Sequence, residues 1–176
     1  MADGAAWGRE VTLETDRLLL RPWRLAEAVI KREMWVERDP RVPPHRRIDA
    51  DGRPTVADLG EAIRADQPSS VLMLAVERKA NGDVIGYCGL INSGQGAQGE
   101  PELAFEFLRR FWGQGYATEA AQAVLDWAGS SGYERVWATV SDWNAASRRV
   151  LAKLGFTETG REAAIHGTNL VTTRRL

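Results

Sequence analysis

The sequence predicts a mixed α/β sheet, and three observations carry that prediction. Apolar, strand-like runs such as Val71–Glu77 and Asp83–Ile91 recur along the chain. Asn81-Gly82, set between those two runs, is a strong hairpin signal. Further on, the stretch Glu100–Ala128 reads as a short strand (Glu102–Leu108), a turn holding Gly113-Gln114-Gly115, and a long amphipathic helix. A strand joined to the next strand through a helix makes a crossover, so parallel character enters there.

The elements follow in order. After a polar tail (residues 1–10), Val11–Trp23 reads as one strand centred on Leu18, Leu19 and Leu20, with Pro22 ending regular pairing. Leu25–Val36 suits a helix. Arg38–Pro54, rich in Pro, Arg and Asp, reads as a long irregular loop. Thr55 is the N-cap of a second helix through Arg64, with Asp58 in the capping-box position where Glu or Gln is more usual. The hairpin strands come next, then a Gly-rich loop and the strand Glu102–Leu108. In the long helix Ala117, Ala120, Ala121, Val124, Leu125 and Ala128 repeat at the spacing of one buried face. Arg135–Val140 is another strand, and Asp142–Leu154 a helix ending at Gly155. Phe156–Thr159 and Leu170–Arg174 finish as strands.

Length and composition bound the function. A chain of 176 residues is expected to form one domain with a real core. A net charge of −1 argues against a dedicated nucleic-acid binder. The single cysteine, Cys88, makes no internal disulfide and reads as a buried small hydrophobe. The start lacks a signal-peptide pattern, and no run approaches the ~20 apolar residues of a membrane span. A soluble, cytoplasmic protein is the expectation. His45 and His166 have no metal-ligand spacing, so no metal is expected.

Two glycine patterns compete. Gly94–Gly99 matches G-x-G-x-x-G, but Glu100-Pro101 and a strand follow where the dinucleotide motif needs a helix, so it reads as a hairpin loop. Gly113-Gln114-Gly115 does open a helix. There the first amides lack helical partners and the macrodipole is positive, which suits phosphate oxygens. Taken alone, a tight packing turn reads equally well.

A family resemblance separates these readings. Arg110-Phe111-Trp112-Gly113-Gln114-Gly115-Tyr116-Ala117 fits the [R/Q]-x-x-G-x-[G/A] signature of the GCN5-related N-acetyltransferases, the GNAT family. Asn144–Phe156 resembles the N-x-x-S-x-x-[VL]-x-x-K-x-G-F run of its ribosomal-protein N-terminal acetyltransferase (Rim) branch, and ETDRLLLRPW resembles that branch's first strand. The resemblance implies a GNAT fold, with splayed central strands in a mixed sheet flanked by helices. It implies that Arg110, Gly113, Gln114, Gly115, Tyr116 and Ala117 hold the pyrophosphate of acetyl-CoA. It also implies that the strand near Phe107 and Leu108 splays from Trp137–Val140, and that a backbone N–H there polarises the thioester carbonyl. A fixed donor aimed at developing oxyanion charge fits that chemistry.

Amine acetylation needs a neutral amine, a stabilised tetrahedral intermediate and a proton for the thiolate. Glu102 is the candidate general base; the plain alternatives are a solvated strand-end charge or an ammonium-binding carboxylate. Glu106, at i+4, shares its face and is a substrate-side candidate. Asn144 and Ser147 share a helix-start face. Their plain reading is an N-cap, with Asn144 accepting the Ser147 N–H. The family reading has Asn144 on the cofactor and Ser147 as proton donor to the thiol. Arg41, Arg46 and Arg47 read as a solvated loop or as attractors of an acidic group. The acceptor implied is a protein or peptide N-terminal α-amine, with a polyamine or antibiotic amine as alternative. A non-catalytic acyl-CoA-binding sensor is the reading from another class. A monomer or a homodimer fits equally.

Overall fold

The structure is a computed structural model that describes residues 11–65, 70–94, 96 and 99–176. The expected tail, residues 1–10, lies outside these. The strand expected across Val11–Trp23 is divided in two, β1 (Leu13–Glu14) and β2 (Leu18–Arg21), which pair antiparallel. Thr15 makes the division. Its N–H donates to the Leu18 carbonyl, and its Oγ1 accepts the Leu18 N–H at 2.9 Å, so the chain reverses on a local side-chain bond.

A short 3-10 turn at Leu25–Glu27 leads into α1 (Ala28–Glu37). The 38–54 segment is irregular apart from a 3-10 turn at Pro44–Arg46. Helix α2 (Val56–Ala65) opens with a reciprocal cap: Thr55 N–H donates to Asp58 Oδ2 at 2.7 Å, and Asp58 N–H donates to Thr55 Oγ1 at 3.2 Å. Aspartate is thus long enough to close the box.

Strands β3 (Ser70–Arg78) and β4 (Val84–Ile91) form the hairpin expected around Asn81-Gly82. Next come β5 (Glu102–Phe107), a 3-10 turn at Arg109–Phe111, α3 (Tyr116–Ser130), β6 (Arg135–Ser141) and α4 (Ala145–Lys153). The chain closes with β7 (Thr157–Ala163) and β8 (Thr168–Arg175). The loop Gly94–Gly99 joins the antiparallel pair β4 and β5, so a strand follows it, as its context foretold; its residues 95, 97 and 98 lie outside the described set.

All eight strands belong to one sheet, ordered β1-β2-β3-β4-β5-β6-β8-β7. Every neighbouring pair is antiparallel except β5 and β6, and these share a single rung, Glu102 opposite Trp137. Beyond it the strands part. Small side chains on α3 let it lie close to the sheet: Ala120, Ala121, Val124, Leu125 and Ala128 are buried against Leu103, Phe107, Val136, Ala138 and Val140. By strand alternation, Glu102, Ala104 and Glu106 on β5 and Trp137, Thr139 and Ser141 on β6 face the other way, away from α3.

Candidate active site

The parting of β5 and β6 is where the site is built. Trp137 N–H donates to the Pro101 carbonyl at 2.9 Å, completing the rung. The next rung would have used the Thr139 N–H. Instead that N–H donates to Glu102 Oε1 at 3.0 Å, so a side-chain carboxylate stands where the partner backbone should be. Glu102 is only 9% exposed, and no arginine or lysine pairs with it among the described residues. Its Oε2 has no hydrogen-bond partner there either. Beside it, Thr139 Oγ1 is buried without a partner. A half-satisfied buried polar pair is costly for the fold, and such groups concentrate at working sites.

The ladder decides which β5 amides face the gap. Leu108 N–H donates to Ile85 on the β4 side at 3.0 Å, and its carbonyl accepts from Phe111 N–H. Leu108 therefore has neither main-chain group to offer a ligand. By alternation, Phe105 and Phe107 turn their N–H groups away from β4, toward the gap. The Phe107 carbonyl there is taken by Trp112 Nε1 at 2.7 Å.

At the end of β5 the chain turns through Gly113 (φ 73°) and Gly115 (φ 82°) into α3. Left-handed backbone at both positions is cheap only for glycine. Among the described residues no side chain caps the helix. The first bond back is Glu119 N–H to the Gly115 carbonyl. The N–H groups of Gly113, Gln114, Gly115, Tyr116, Ala117 and Thr118 find no acceptor among the described residues. A string of unpaired donors at the positive end of a fifteen-residue helix fits a pyrophosphate. Of the other residues expected here, Arg110 pairs with Glu33 of α1, and Gln114 uses its side chain on the Arg110 carbonyl.

Glu119, in the first turn of α3, is drawn away from the helix end. Its Oε1 accepts the Thr15 hydroxyl at 2.5 Å and the Arg17 N–H at 3.1 Å, and Oε2 accepts Arg17 Nε at 2.7 Å. Burial pushes its carboxyl up, but these bonds outweigh burial and hold it below its usual 4.5. Ionised Glu119 therefore stabilises the fold above that value, and the contribution is lost as pH falls through the depressed folded value. Glu119→Gln should lower the melting temperature at pH 7 by a few degrees, about 1 kcal/mol given the half-exposed Arg17. In melts taken from pH 7 to 3 that gap should narrow below about 4.5; a gap independent of pH would refute the linkage.

Asn144 caps α4, its Oδ1 accepting the Ser147 N–H at 3.1 Å. The plain reading of this pair thus describes Asn144 Oδ1, while the Ser147 hydroxyl has no bond within the chain among the described residues. Glu106 is not a free carboxylate. Arg38 grips it with two bonds, Nε to Oε1 at 2.8 Å and an Nη to Oε2 at 2.7 Å, and Tyr87 Oη donates to Oε2 at 3.0 Å. Burial first, and then the neighbouring Glu106 charge, push the Tyr87 phenol up, so it stays a donor. Arg38, Tyr87 and Thr139 carried no signal in the sequence reading. Only the cross-strand pairing of Tyr87 with Glu106, and the fold of the 38–54 segment, bring them to this face.

The acetyltransferase (GNAT) domain model matches residues 17–157. This chain belongs to the GNAT acetyltransferase family. Among its relatives in that family, the uncharacterized N-acetyltransferase p20 of Bacillus licheniformis is 30% identical over 159 residues, 85% of this chain and 84% of that protein. The uncharacterized protein YkkB of Bacillus subtilis is 34% identical over 93 residues, which span 52% of this chain and about half (54%) of YkkB. Among solved GNAT structures, Mycobacterium smegmatis RimJ in complex with CoA-disulfide superposes with a TM-score of 0.70 at 22% identity, covering 94% of this chain and 86% of RimJ. The spermidine/spermine N-acetyltransferase SpeG of Vibrio cholerae gives 0.70 at 16% identity, covering 92% and 95%. Both likenesses are of fold. The splayed mixed sheet expected from the sequence is the GNAT fold, and the chain is an acetyl-transferring enzyme of that family. Among the described residues no helix is long and apolar enough to cross a membrane.

Proposed function

We propose that this GNAT enzyme, acting as one domain, transfers the acetyl group of acetyl-CoA directly to a primary amine in a ternary complex. The acceptor we assign is a protein or peptide N-terminal α-amine. The observation that carries the reading is Glu102, which among the described residues has no cation partner, at the parting of β5 and β6, one strand's length from a glycine turn whose amides find no acceptor there.

When bound, acetyl-CoA supplies an electrophilic thioester carbonyl and a thiolate leaving group. The chain supplies the rest. The amides of Gly113–Thr118 bind the pyrophosphate, with Gly113 and Gly115 keeping side chains out of its way; Arg110 closes the turn from the α1 side. The Phe107 N–H, with that of Phe105, faces the gap and orients the carbonyl to be attacked. Glu102, held at Oε1 by Thr139, takes the amine proton on Oε2, directly or through a water. Asn144 fixes the start of α4, and Ser147 there returns a proton to the departing thiolate. No covalent intermediate on the enzyme is required. The equal likeness of fold to SpeG makes a polyamine the second reading.

The test is free-thiol release from acetyl-CoA against N-terminal peptides, polyamines and aminoglycosides, alongside CoA binding by calorimetry. Gly115→Val, which puts a β-branched side chain at φ 82°, should weaken CoA binding at least roughly tenfold by moving the amides. Unchanged CoA affinity in that variant would remove the cradle. Tight CoA binding with no turnover on any acceptor would instead identify a sensor.

A further inference from the structure

The acceptor side of the gap carries a charge pattern that separates these acceptor classes. Arg38, at the end of α1, is 10% exposed, lies over the Trp35 ring at 4.0 Å and grips Glu106 with two bonds. The same guanidinium donates to the Arg46 carbonyl at 3.0 Å, so it also fixes where Arg46 stands. Across the gap, Arg41 lies over the Trp143 ring at 4.3 Å, on the β6–α4 connection. The 38–54 segment is therefore anchored on both sides of the parting.

Around Arg38 the carboxylates are already matched. Glu106 faces Arg38 and Arg46, Asp39 is held by Arg41 at 2.8 Å, and the charge of Asp142 acts on Arg41 and Arg161. Glu106 and Asp39 are therefore not free for the second ammonium of a polyamine. Beside Glu106 positive charge is in excess. Arg46 reaches Glu106 only at 3.7 Å, is 45% exposed, and approaches an oxygen that Arg38 and Tyr87 already occupy. Two guanidiniums thus stand beside one carboxylate, on the strand face that also holds Glu102, about 13 Å further along β5 by strand rise.

We propose that Arg46 is a specificity-determining residue, selecting an amine whose second or third residue carries a side-chain carboxylate, that is, an acidic peptide N-terminus. The inference rests on the reading of Glu102 as the place where the amine is deprotonated. Arg38 positions Arg46 by neutralising Glu106, and the surplus charge of Arg46 is met by the acceptor rather than by the protein.

The test uses tetrapeptide amides with a free N-terminus and glutamate, glutamine or lysine at the second position, with spermidine as the polyamine. For the wild type, KM should rise from glutamate to glutamine to lysine by roughly fivefold per step, with kcat within about twofold, and the spread should shrink in high salt. Arg46→Lys should keep the ranking, Arg46→Gln flatten it and Arg46→Glu reverse it, all with unchanged melting temperature. Equal KM for the three peptides, no turnover of any of them, a ranking indifferent to Arg46→Glu, or a lower KM for spermidine overturns the proposal. Failure of the underlying reading looks different: Glu102→Gln would then turn over every acceptor undiminished, while the KM ranking would still report on Arg46.

Discussion

The Glu102→Gln variant is expected to lose about 10²- to 10⁴-fold in kcat while binding CoA as the wild type does. The reason lies in what the amide keeps and what it loses. Its carbonyl oxygen still accepts the Thr139 N–H, so the rung that ends the β5–β6 pairing survives and the fold should not notice. Glutamine has no basic oxygen, so the amine keeps its proton and attack stalls. Single-turnover measurements would place the loss in the chemical step. A kcat within a few-fold of wild type would show that Glu102 is structural here, its Oε1 bond to Thr139 being its whole purpose.

The largest stability effect should come from Gly89→Ala. Gly89 lies in the middle of β4, paired with Met73 on β3 and Ala104 on β5. A methyl there would overlap the Leu72 carbonyl oxygen and come within 2.8 Å of Met73 Cα. Both atoms are backbone, locked by ladders on either side, so nothing rotates away. A cost of at least about 3 kcal/mol follows, or a fall in melting temperature of roughly 6–12 °C for a chain of this size. Gly160→Ala is the matched control: on β7 the added carbon meets only Val171 Cβ at 3.8 Å, an ordinary contact. Similar melting temperatures for the two variants would contradict the steric argument.

The sequence made the order of elements readable because periodicity and turn chemistry act locally. The buried alanine face of α3, the Thr55–Asp58 cap and the Asn81-Gly82 hairpin all depend on residues a few positions apart. The division of Val11–Trp23 was hidden because Thr15 reads as a good strand residue, and its turn-forming bond to Leu18 is supported by Glu119, far along the chain. The candidate site was readable in outline where a motif is contiguous, at Gly113–Ala117 and Asn144–Ser147. It was not legible where chemistry is assembled across strands. The strand face predicted that Glu106 would sit with Glu102, but no local pattern reveals that Arg38 neutralises it. Nor does residue type show that Leu108 turns its N–H to Ile85, leaving Phe105 and Phe107 to face the gap. That choice is set by register, which only the paired sheet defines.

The single rung between β5 and β6 has a consequence for cohesion. Hydrogen-bonded ladders link β1 through β5 and again β6, β8 and β7, but between the two blocks the backbone shares one rung, Glu102 opposite Trp137. Helix α3 spans the joint from one side, and the 38–54 segment reaches across it on the other. A molecule lodged in the joint touches both blocks at once, and so acts as mortar as well as reactant. Its binding free energy adds to whatever keeps the blocks together, by mass action. With acetyl-CoA bound in the joint, as proposed above, the durability of the protein would be tied to how much of its own substrate surrounds it.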